Sequence, residues 1–145
     1  MRRFSLLVAV VTAALIAPMA RAASPTFTPL PAFSFTDTTC GFEVLVQASA
    51  GETLKEFSNG TVIVSGPLRA TLSANGKTVT ANVPGPYVAI SGHAALGHGL
   101  GLVVIQLPGG QLTLAVVSGV IDDEVFPQRL IHGTVMLDVC AALAP

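Results

Sequence analysis

Cys40 and Cys140 are the only cysteines in the chain, and they bracket nearly everything that reads as folded structure. In an exported protein two cysteines pair by default, and a bridge needs Cα atoms about 4.4 to 6.8 Å apart. The two ends of the intervening chain must therefore meet. In the loop-entropy description, closing about 100 residues is worth roughly 4.7 kcal/mol.

Export is expected from the N-terminus. Arg2 and Arg3 precede an apolar run from Phe4 to Ile16, broken only by Ser5 and Thr12, and Pro18 leads into the small-residue pattern Ala20-Arg21-Ala22. This is the charge, apolar core and cleavage site of a secretory signal peptide. The expected organisation is a signal peptide over residues 1–22 cleaved after Ala22, a Pro-rich leader over residues 23–37, and a single β domain over residues 38–145. The apolar run falls short of the roughly 20 residues a bilayer span needs. No later stretch free of turn residues is long enough either, so no membrane span is expected in the mature chain. Neither cysteine stands at the cleavage site, where a lipid anchor would require one.

Cleavage removes Arg2, Arg3 and Arg21, leaving four cations against eight carboxylates, a net charge of −4. Nucleic acid is excluded as a partner, because binding phosphates needs clustered Lys and Arg. With 51% hydrophobic and only 10% charged residues, the domain must hide most of its aliphatic side chains or present them to something.

Ser24 to Pro31 carries three prolines in eight residues, which is expected to forbid a ladder strand and to favour an extended leader. Thereafter turn chemistry punctuates the chain. Asn59-Gly60 and Asn75-Gly76 suit two-residue hairpin turns. Pro84-Gly85-Pro86 and Pro108-Gly109-Gly110 mark further reversals. Between the turns β-branched residues dominate and apolar positions recur at two, so the fold is expected to be all-β. Strands are expected over residues 41–48, 52–58, 61–74, 77–83, 87–93, 100–107, 111–121 and 130–140. Gly66-Pro67 interrupts the third, as two short strands or one bent strand. The disulfide favours one bent strand. In an up-and-down meander an even strand count brings the start of the first strand and the end of the last to the same end of the sheet. The expected architecture is thus about eight antiparallel strands in a closed or nearly closed barrel, with a two-sheet sandwich as the alternative.

Residues 100–107 and 111–121 are apolar on both faces, so something must cover the second face: the Pro-rich leader, a partner subunit, or an apolar surface in use. A membrane-spanning barrel is disfavoured, since one Tyr and no Trp cannot build aromatic girdles.

Candidate chemistry is sparse. His93 and His98 could hold zinc or copper, but the Gly-rich segment between them is not helical and offers no third ligand. Asp122, Asp123 and Glu124 could ligate calcium, yet without the EF-hand spacing they read as a solvated loop. His132, Asp138 and Cys140 share one face of the last strand by parity. If that face points inward, His132 and Asp138, with Glu43, would be acid and base in a polar lumen. If Ile131, Val135, Leu137 and Val139 point inward instead, the polar set is in solvent, the less costly choice for an unpaired carboxylate. No nucleophile elbow, phosphate loop or dinucleotide fingerprint is present, and no cofactor is expected.

The Cys40-Gly41-Phe42 segment, the Phe57-Ser58-Asn59-Gly60 turn, residues 75–80 (NGKTVT), residues 82–86 (NVPGP) and a late glycine-spaced strand together resemble small exported actinobacterial proteins of unknown function. The resemblance implies a β-barrel-like domain, similar in architecture to lipocalin or allene oxide cyclase barrels, and carries over no catalytic residue.

Three functions follow as expectations. The first is a non-enzymatic domain that holds a small apolar ligand or binds an envelope or extracellular partner. The second is a barrel enzyme using His132 and Asp138. The third is a structural surface protein that self-associates.

Overall fold

A computed structural model describes residues 24–91 and 95–145. The expected signal peptide and His93 lie outside the described residues. Among the described residues eleven strands precede one short helix: β1 (Thr26–Pro29), β2 (Phe33–Asp37), β3 (Val44–Ala48), β4 (Thr53–Glu56), β5 (Val62–Ser65), β6 (Arg69–Ala74), β7 (Lys77–Asn82), β8 (Tyr87–Ala89), β9 (Leu96–Gln106), β10 (Leu112–Asp122), β11 (Arg129–Asp138) and α1 (Val139–Leu143).

All pairing is antiparallel, in two sheets. One has seven strands in the order β1-β4-β5-β8-β9-β10-β11, the other four in the order β2-β3-β6-β7. The all-β expectation holds. The single up-and-down meander does not, and no closed barrel is found among the described residues. The chain passes between sheets instead, and the switch points explain why. Gly66-Pro67-Leu68 separates β5 from β6, which belong to different sheets. A proline lacks the N–H to continue a ladder, and here the break is a crossover rather than a bend. Pro84-Gly85-Pro86, expected as a reversal, likewise carries the chain from β7 to β8 in the other sheet.

The Pro-rich leader is also corrected. Its residues form β1, paired with β4, and β2, paired with β3. β1 is an outermost strand, and Pro29 closes it; at an edge, a missing N–H can face away from the ladder.

The disulfide forms, with Cys40 and Cys140 Cα atoms 5.1 Å apart. Strand parity is not what brings them together. Cys40 lies in the β2–β3 connection, and Cys140 lies in α1, which leaves the end of β11. Asp138 starts that helix, its side chain accepting from the Ala141 N–H at 3.0 Å. The same oxygen accepts from the Thr113 hydroxyl at 2.6 Å, tying the cap to β10. The bridge therefore joins the first hairpin of the smaller sheet to the far end of the larger one.

Two apolar clusters form the core. The first joins Val44, Val46, Ala70 and Leu72 of the smaller sheet to Val104, Leu114 and Val116 of the larger, with Val139, Cys140 and Leu143 of α1. The second uses the opposite faces of β9 and β10, through Val103, Ile105, Ala115, Val117 and Ile121, with Leu130 against it. The double-sided apolar pattern is thus covered on one side by the smaller sheet and on the other by the larger sheet itself.

That self-covering needs a sharp fold. Asp122 pairs with both Leu96 and Arg129, so Gln128 starts out beside the Leu96 end of β9. Yet its N–H donates to the Val104 carbonyl at 2.8 Å, and its side-chain oxygen accepts from the Val104 N–H at 3.0 Å. On a straight strand Leu96 and Val104 would stand about 26 Å apart. The crease that closes this distance is a row of glycines in register across three strands, Gly99, Gly119 and Gly133, all with positive φ. No residue with a Cβ fits such a corner without strain.

Candidate functional site

Where the two sheets face each other, they leave a cleft of about 290 Å³. One wall is Phe33 and Phe35 of β2, Val46 and Ala48 of β3, and Ala70 of β6. The other is Tyr87 of β8, Leu100 to Val103 of β9, and Ile121 of β10. The walls are built rather than incidental: Val46 and Ala70 are 1% exposed and Ile121 is 3% exposed. Alternation in β3 creates its wall directly, since Val44, Val46 and Ala48 are buried while Leu45 and Gln47 are exposed.

The aromatic side differs. Phe33 and Phe35 stack with ring centroids 6.2 Å apart and planes 14° from parallel, yet are 49% and 45% exposed. Two rings half in water at the rim of an apolar cleft offer a contact surface the fold leaves partly unused.

Polar groups in the lining are few: Glu52, Tyr87 and Asp123. Burial pushes the Glu52 carboxyl above its ordinary value. Burial also raises the Tyr87 phenol, with the charges of Asp123 and then Glu124 adding to the shift. Glu52 and Tyr87 therefore hold their protons more tightly than they would in water.

A second cleft lies between the Gln106–Pro108 turn region and the segment leading into β11. Its walls include Val125 and Val135, 44% and 40% exposed, so it is a surface groove rather than a receptacle.

The residues singled out from sequence do not converge. His132 is exposed on β11. Asp138 caps α1 and receives the Thr113 hydroxyl. Glu43 is exposed just before β3, in the other sheet. The polar lumen they would have lined is not formed. Nor does the inward alternative for the aliphatic set hold throughout: Ile131 and Val135 are 54% and 40% exposed, because β11 is an outermost strand.

His98 is half-buried in β9, its backbone N–H donating to the Pro86 carbonyl. Asp122 is 6% exposed and paired with Arg129 at 2.7 Å, while Asp123 reaches the inter-sheet cleft. The acidic run thus divides between a structural ion pair and the cleft rim. Among the described residues no group of three His, Cys, Asp or Glu side chains is placed to hold a metal.

Phe33, Phe35, Glu52 and Tyr87 were not identified from sequence. The period-two pattern of Phe33-Ser34-Phe35-Thr36 is the signal the sequence carries for the aromatic pair. No family model, no curated protein and no solved structure matches this chain.

Proposed function

We propose that this chain is an exported, non-enzymatic binding domain that takes a small apolar ligand in the cleft between its sheets. The observation that carries the reading is the cleft: buried aliphatic walls, a stacked and half-exposed aromatic pair at the rim, and few polar groups. Apolar concavities with a small number of polar groups are the usual form of small-molecule sites. Export rests on the N-terminal pattern, and the Cys40–Cys140 bridge is the bond an oxidising compartment sustains. At about 30 Å³ per non-hydrogen atom, the share a water occupies in the liquid, the cleft holds roughly ten such atoms.

Native mass spectrometry of protein purified from culture medium, followed by calorimetric titration with octanol, tests the reading. A co-purified small molecule or saturable octanol binding, lost in Ala48→Phe, is expected. Absence of saturable binding by the folded, oxidised protein overturns it.

A second reading, association through an apolar face, draws support from Ile131, Met136 and Phe126, which are 54%, 62% and 74% exposed around the outermost strand β11. Sedimentation over a concentration series separates the two readings, since only association makes the mass concentration-dependent.

A further inference from the structure

The charged groups that line the inter-sheet cleft are of one sign. Glu52 and Asp123 border it, and no Lys, Arg or His of the described residues does. The Tyr87 phenol, raised first by burial, is raised further by the charges of Asp123 and Glu124, in keeping with this asymmetry. The rings of Phe33 and Phe35, stacked and half-exposed at the rim, add the negative π-face that attracts a cation.

We infer that the cleft selects cationic amphiphiles, molecules with an apolar body of about ten non-hydrogen atoms and a protonated amine, over neutral or anionic ones of the same length. The inference deepens the proposed apolar-ligand reading and rests on it. An apolar tail among Val46, Ala70 and Ile121 gains the burial energy that any matched chain would gain. The headgroup then decides. An ammonium beside Glu52 or Asp123 makes a charge-assisted hydrogen bond, whereas a carboxylate placed there meets like charge and no donor cation. Fatty acids, the obvious apolar ligands outside a cell, are thereby disfavoured.

Octylammonium, octanol and octanoate, matched in chain length, are titrated calorimetrically into the oxidised protein at neutral pH. Octylammonium is expected to bind about tenfold more tightly than octanoate, the factor one hydrogen-bonded charge supplies, with octanol between them. Glu52→Gln and Asp123→Asn are each expected to narrow the octylammonium-to-octanoate spread, whatever they do to octanol binding. Asp123 is exposed, so Asp123→Asn keeps the test valid if Glu52→Gln misfolds. Equal binding of the three probes, or tightest binding of octanoate, overturns the charge selectivity and leaves the apolar site standing. Failure of all three to bind removes the apolar site as well.

Discussion

Gly119 and Gly133 approach so closely across β10 and β11 that a Cβ built on either lies 2.7 Å from the other's Cα. The same Cβ atoms would meet the His132 carbonyl oxygen from Gly119, and the Ser118 carbonyl oxygen from Gly133. These neighbours are backbone, so nothing flexible can give way. The φ angles, 153° and 139°, are themselves ones that side chains avoid. Gly119→Ala and Gly133→Ala are each expected to cost about 3 kcal/mol or more, combining backbone strain with overpacking. Denaturant unfolding of the oxidised protein measures this. Gly76→Ala, at a turn with open space around it, is the control and costs about 1 to 2 kcal/mol.

The disulfide makes a second prediction. Cys40 and Cys140 are 100 residues apart in sequence, so reduction releases a long loop in the unfolded chain. Cys40→Ala with Cys140→Ala is expected to lower stability by roughly 4.7 kcal/mol in the loop-entropy model. Comparing unfolding free energies of the oxidised protein and the double variant checks the figure.

Asp138 performs two tasks with one oxygen, capping α1 and accepting from Thr113, which is 1% exposed. Asp138→Ala removes the cap and leaves a buried hydroxyl with only a weak partner, at an expected cost of about 1 to 2 kcal/mol. Asp138→Asn retains an acceptor and should recover most of it. An acid–base role would instead leave Asp138→Asn as inactive as Asp138→Ala in an activity measurement, since neither side chain exchanges protons there.

Glu52 gives a pH dependence with a definite sign. Its carboxyl is raised above 4.5 by burial, so the folded protein holds that proton more tightly than the unfolded chain. Stability from this group therefore falls as pH rises through the folded pKa, and the ionised form works against the fold at neutral pH. Glu52→Gln is expected to be more stable than the natural sequence at pH 7, with the gap closing below pH 4.5. Urea midpoints across that range read the effect, and coincident midpoints at pH 7 would contradict it.

Local turn chemistry was the legible part of this fold. Asn75 and Gly76 both take positive φ, and Ala74 pairs with Lys77 across them, as a two-residue turn requires. Asn59-Gly60 came close. The Phe57 N–H bonds to the Thr61 carbonyl, so three residues form the loop, with Gly60 at positive φ and the Asn59 side chain accepting from the Thr61 N–H.

What the sequence did not reveal is how a glycine inside an apolar run is used. Gly66 stands where the chain leaves one sheet for the other, whereas Gly99 and Gly119 stand where long strands crease and continue. Local residues do not distinguish these outcomes, because the choice is made by whichever distant face each half can bury. The cleft was hidden for the same reason. Its walls come from segments separated along the chain, and the aromatic pair lies in a stretch whose prolines argued against any strand.

Because Cys140 sits in the closing helix and Cys40 in the opening hairpin, every loop from Gly51 to Gln128 lies inside one covalent ring. A protease that cuts a single such loop outside the cell produces no separable fragment, and the nicked molecule keeps both sheets attached. The bridge thus guards the cleft against scission as well as unfolding.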